Sequence, residues 1–148
     1  MRRVFLYPGP TGFVQPERVP QQEHAMKING IKKDILSLLL RMAQDSHPNE
    51  FVALLRERDG FIDEVNMLPG TVVREDSASL FYDMMPLDTH VAGSAHSHPS
   101  GPMSPSDADL MFFPRTGRYH LIIGYPYRKN DWRCFTADGE PHTLEVVA

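Results

Sequence analysis

A chain of 148 residues with 41% apolar and 23% charged side chains has the size and make-up of one ordinary globular domain with a single core. A formal charge of −4 argues against a general nucleic-acid binder, which carries a basic stripe, and the lone Cys134 excludes a disulfide framework or a cysteine-based zinc cluster. No apolar run nears the roughly 18 residues that span a bilayer, and the few apolar residues before Pro8 are too short for a signal peptide, so the chain reads as cytoplasmic, with no membrane or nucleic-acid partner.

Residues 1–25 hold Pro8, Pro10, Pro16 and Pro20, with Gly9 and Gly12 among them, which excludes a helix and disfavours a central strand. Val4, Phe5, Leu6, Tyr7, Phe13 and Val14 make the segment too apolar for a purely solvating tail. The plainer expectation is an extended arm packed on the surface of a folded domain at 26–148. The sharper one is an arm that reaches a partner, or a second copy of the chain in a homodimer.

Over 31–44 the apolar residues Ile31, Ile35, Leu38, Leu39 and Met42 trace one stripe of an amphipathic helix. His47-Pro48 ends it, because the residue before proline avoids the helical region. The continuous apolar run at 51–55 predicts a strand buried on both faces. Asp59-Gly60 is a tight hairpin turn, and 61–68 returns as the second strand, broken by Pro69-Gly70. Residues 71–88 read as irregular, with short strands near 71–73 and 79–82. A strand at 91–98 follows, then a helix at 106–113 stopped by Pro114, then strands at 119–125, 132–136 and 142–147, the last two around an Asp138-Gly139 turn. Helix, strands, helix, strands indicates an α/β (α+β) sandwich with a mixed, largely antiparallel sheet flanked by helices.

The chemistry is concentrated between His96 and Asp109. Residues two apart on a strand point the same way, about 6.6–6.8 Å apart, so His96 and His98 present two imidazoles to one face. Pro99 stops the strand. Ser104-Pro105 reads as the cap and first residue of the next helix, with Asp107 three residues after the cap. Ser106 and Asp109, three apart, share a face of that helix. Two imidazoles and one carboxylate leave one tetrahedral position open for water, which is how catalytic zinc is held. Such a site still needs a proton acceptor that does not bind the metal. Glu50, at the lip of the buried 51–55 strand, is the best candidate. Glu57, Asp59, Asp63, Glu64, Glu75, Asp76, Asp83 and Asp88 mostly flank turns and read as solvated surface.

The remaining histidines take plainer roles: His47 and His90 in caps or loops, His120 and His142 on strands. Ser97 points away from the metal and is structural. Cys134 is a buried small hydrophobe, and Tyr125-Pro126-Tyr127 packs in the core or at a rim.

The pattern Glu50 … His96-x-His98-x7-Ser106-x2-Asp109, with Pro48-x-Glu50 before an apolar strand and His-Ser-His-Pro at the motif, resembles the JAMM (MPN-plus) signature of metal-dependent isopeptidases. The likeness covers roughly residues 27–147 and is strongest to compact, archaeal-type prokaryotic members. It implies the cytidine-deaminase-like MPN fold, and one zinc held by His96, His98 and Asp109 with water as fourth ligand. It also implies Glu50 as general base and acid, and Ser106 as hydrogen-bond donor to the oxyanion. The substrate implied is the amide joining a ubiquitin-like modifier's C-terminal tail to a lysine, with the tail lying in a groove built from 61–90. Two alternatives are processing of a sulfur-carrier precursor at its C-terminal tail and a non-catalytic scaffold of the same fold. The motif also resembles the RadC branch linked to DNA repair, which the acidic charge disfavours.

Overall fold

The computed structural model describes residues 27–67 and 90–148. The arm expected at 1–25 and the irregular region expected at 71–88 lie outside the described residues. In chain order the elements are β1 (Gly30–Lys32), α1 (Lys33–Ser46), β2 (Val52–Arg58), β3 (Phe61–Met67) and β4 (Val91–His98). They continue with α2 (Asp107–Thr116), β5 (Tyr119–Gly124), β6 (Trp132–Thr136), β7 (Pro141–His142) and β8 (Glu145–Val147). The described strands form one mixed sheet in the order β7-β6-β5-β4-β2-β3-β1-β8, with four antiparallel and three parallel pairings.

Strand periodicity divides the central strands between two cores. On β2, Ala53 and Leu55 join Leu36, Leu39 and Ala43 of α1, while Val52 and Leu54 join Phe112 and Phe113 of α2. On β5, Leu121 and Ile123 go to the first core and Ile122 to the second. Burial on both faces is why each strand reads as an unbroken apolar run. The expected α+β sandwich is what forms.

Several features differ from the sequence expectation, and four of them have a plain physical reason. Ile31 lies on β1, not in the helix, because residues 30–32 pair in parallel with β3 and β8. Within α1 the buried positions are Leu36, Leu39 and Ala43, and Leu38 is exposed. Consecutive leucines at 38–40 offer two stripe phases, and the sheet selects the one that Ile31 does not extend. Helix α2 runs past Pro114 to Thr116, whose hydroxyl donates to Phe112 O at 3.3 Å and so adds a bond in the turn where proline has no N–H. The strand expected at 142–147 is two short strands at opposite ends of the strand order, separated only by Thr143 and Leu144. The sheet therefore curls until its edges meet, and His142 Nε2 donates to Ile28 O at 2.8 Å across the seam.

The Asp59-Gly60 turn forms as expected. Both residues have positive φ, 56° and 87°, as a two-residue hairpin of the favoured twist requires.

Candidate metal centre

Ser94, His96 and His98 alternate along β4 and share the face turned to α2. The buried His96 ring meets Phe112 edge-on at 5.1 Å between centroids and lies 5.7 Å from Phe113. Ser97, on the other face, is structural as expected: its Oγ accepts from Phe51 N at 2.9 Å and its N–H donates to Phe51 O at 3.1 Å. That pair locks the start of β2 to the end of β4. Val52 is opposite His96, so continuing the antiparallel register by two residues sets the exposed Glu50 across from His98 on the same face.

Asp109 arrives by a different route from the one expected. Ser106, not Ser104, caps α2. Its Oγ accepts from Asp109 N at 3.1 Å, and Asp109 Oδ2 accepts from Ser106 N at 2.9 Å. This reciprocal capping box satisfies two orphan donors, and it displaces Asp107 to the first helical position. Ser106 and Asp109 therefore hold each other instead of merely sharing a face. The same Oδ2 lies 3.1 Å from His98 Nε2, and Oδ1 lies 3.8 Å from His96 Nδ1.

The electrostatics follow from burial and these contacts. His98 is raised above its ordinary value chiefly by its hydrogen bond to Asp109, against its burial, with the Pro102 carbonyl and the charges of Asp109 and Glu50 adding to the rise. Burial pushes Asp109 upward, but the His98 hydrogen bond, the charge of His96 and the Ser106 N–H hold it down at about 2. Desolvation lowers His96 to about 4 despite the attraction of Asp109. Desolvation likewise lowers His120 to about 3.

Three potential ligands thus converge: His96 Nδ1, His98 Nε2 and the Asp109 carboxylate. Among the described residues no three or more His, Cys, Asp or Glu side chains are arranged to hold a metal ion, and Asp109 hydrogen-bonds His98 directly. The donor set nevertheless fits a divalent cation. His98 Nδ1 lies 3.1 Å from Pro102 O, and a carbonyl only accepts, so Nδ1 carries a hydrogen. In neutral His98, Nε2 is then a bare lone pair facing a carboxylate, a contact that a proton or a cation must mediate. His96 Nδ1 is buried without a hydrogen-bond partner. Such an orphan costs about 1–3 kcal/mol unless something occupies it.

Sequence reasoning passed over Ser94 and gave His120 only a strand position. Ser94 Oγ lies 2.7 Å from both His96 Nε2 and His120 Nδ1. The period of two from His96 pointed to Ser94. Nothing local pointed to His120, which the parallel pairing of β4 with β5 places beside Ser94. The other histidines occupy the expected places, with His47 at the end of α1 and His90 just before β4. Tyr127 is buried with its hydroxyl 2.7 Å from His47 Nδ1, and Tyr125 is exposed. Cys134 is buried and its thiol is pushed up to about 12, so it is inert packing.

The fold and the site together define an α+β domain whose donor cluster sits where one strand ends and the next helix begins. Residues 32–138 match the model for prokaryotic homologs of the JAB domain. Over 131 residues the chain is 42% identical to a probable metalloprotease of Haloferax volcanii, covering 82% of this chain and 81% of that protein. A JAB1/MPN domain protein from Archaeoglobus fulgidus superposes with a TM-score of 0.67 at 38% identity, over 80% of this chain and 99% of that one. A second structure, described as JAMM, a metalloprotease-like zinc site in the proteasome and signalosome, gives a TM-score of 0.66 at 36% identity, over 82% and 100%. The chain belongs to the prokaryotic JAB-domain family, which is the family its motif resembles.

Proposed function

We propose that the chain is a zinc metalloprotease of the isopeptidase type, cleaving the amide between the C-terminal tail of a ubiquitin-like modifier and a target lysine. The observation that carries this is the buried, unpartnered His96 Nδ1 facing Asp109, beside a His98 that feels the charge of Glu50 from the segment leading into β2. His96, His98 and Asp109 would hold one zinc. Bound there, zinc supplies an acidified water, with a pKa of ≈ 7, and a Lewis acid for the scissile carbonyl.

The chain's own groups supply the rest. Glu50 is exposed and, by continuation of the β2–β4 register, across from His98, where it would take a proton from water and return it to the departing lysine amine. Ser106 Oγ accepts from Asp109 N, which leaves its own hydrogen free to donate to a developing oxyanion. A donor so placed is worth about 2.7–4 kcal/mol in the transition state. The tail of the modifier would reach the site in extended form, pairing with exposed main chain. Processing of a sulfur-carrier precursor uses the same groups and differs only in what leaves.

Incubating the protein with conjugates of the host's own modifiers, with and without a chelator, tests the proposal. Release of free modifier that stops with chelator and returns with zinc is expected. Release that ignores the chelator, or no release from any amide-linked conjugate or precursor, would contradict it.

A further inference from the structure

We propose that Ser94 and His120 are positioning residues for His96. They fix its tautomer and ring orientation so that the Nδ1 lone pair faces Asp109, ready for a divalent cation. The cation half of this inference rests on the zinc site proposed above; the tautomer half does not.

The hydrogens can be assigned in sequence. Gly117 O only accepts, so His120 Nε2, 3.0 Å away, must carry a hydrogen. The His120 ring is fully buried and lies flat on Phe113, with centroids 4.0 Å apart and planes 1° from parallel. No carboxylate is among its hydrogen-bond partners, and a buried imidazole without one is neutral. Its Nδ1 is therefore an acceptor. Ser94 Oγ, 2.7 Å away, has one hydrogen and gives it there. Only lone pairs remain on that oxygen for His96 Nε2, also 2.7 Å away, so His96 supplies the hydrogen of this second bond. A neutral imidazole with its hydrogen on Nε2 has a bare Nδ1. That atom is the buried one without a hydrogen-bond partner, 3.8 Å from Asp109 Oδ1.

The relay thus starts at a backbone carbonyl, passes through His120 and Ser94, and ends on a lone pair at the donor cluster. Ser94 and His120 are directly opposite in the β4–β5 pairing, and both are fully buried, so the relay belongs to the sheet and not to a mobile loop. Partners that orient a ligating histidine in this way usually contribute 10–100-fold to metal affinity.

The test uses the full chain. Histidine 15N spectra of the metal-free protein report which ring nitrogen of His96 is protonated. Zinc affinity is then measured by chelator competition for the parent, Ser94→Ala, His120→Phe and Ser94→Thr. His120→Phe keeps an aromatic ring against Phe113 but removes the acceptor, so Ser94 can turn its hydrogen to His96 Nε2. We expect the parent's His96 to be bare at Nδ1. Ser94→Ala and His120→Phe should lose that fixed state and bind zinc 10–100-fold more weakly, and Ser94→Thr should recover most of the affinity. A parent protonated at His96 Nδ1 overturns the proposal, and that spectrum needs no variant to fold. Unchanged affinity in a folded Ser94→Ala overturns it as well. A parent that shows the bare Nδ1 but takes up no zinc overturns the cation half and the zinc assignment together, while the relay stands.

Discussion

Asp109→Asn separates the charge of this carboxylate from its capping role. An asparagine oxygen can still accept from Ser106 N, so the start of α2 survives, but the partner of His98 loses its negative charge. Asp109 is held at about 2 against an ordinary 3.8. Where His98 is charged, that difference corresponds to at most about 2 kcal/mol of stability, at 1.36 kcal/mol per unit. A group depressed in the folded state stabilises above its unfolded value and loses that contribution as pH falls through the folded one. The contribution should therefore be present at pH 5, weaken as pH rises through the raised value of His98, and drop to about half by pH 3. Urea unfolding of parent and variant, both with chelator, at pH 7, 5 and 3 measures it. A penalty that is absent at pH 5, or that does not shrink by pH 3, would refute the assignment of Asp109 as a charged partner held by His98.

Removing the cap should act on stability and turnover separately. Ser106→Ala should cost about 1 kcal/mol of stability in chelator, as loss of an N-cap does, and should slow cleavage by about 10²–10³-fold with zinc present. Equal cleavage by Ser106→Ala in a folded protein would remove the oxyanion role. Gly93→Ala should abolish folding or cost more than the 1–3 kcal/mol typical of overpacking, because its Cβ would lie 1.6 Å from Tyr119 O, a backbone atom that cannot swing aside. Circular dichroism and thermal unfolding read that out, and a native-like melting temperature would contradict the close β4–β5 approach.

The site was legible in the sequence where strand periodicity governs it. A spacing of two put His96 and His98 on one face of β4, and Glu50 follows from antiparallel register once β2 and β4 are paired. The His-x-His and Ser-x-x-Asp spacings carried the donor set without any tertiary information. The cap was misplaced because Ser104-x-x-Asp107 and Ser106-x-x-Asp109 offer the same capping pattern and Pro105 favours the first by local preference, whereas the box forms at Ser106 and Asp109. The helix stripe was misphased because Ile31 stands at helical spacing from Ile35 while belonging to a strand paired with β3 and β8. The break between β7 and β8 depends on how far the sheet curls, which no local pattern encodes. His120 reaches the site only through a parallel pairing across 26 residues, so it could be read as a strand residue and no further.

Glu50 supplies the proton acceptor the proposed chemistry needs and donates nothing to the metal, so its substitution tests the account most directly. Glu50→Gln keeps the shape and removes the proton acceptor. With zinc loading confirmed by metal analysis, the rate on a lysine-linked modifier conjugate should fall about 10²–10⁴-fold, while zinc affinity stays at the parent value. A zinc-loaded Glu50→Gln that cleaves as fast as the parent would contradict the account.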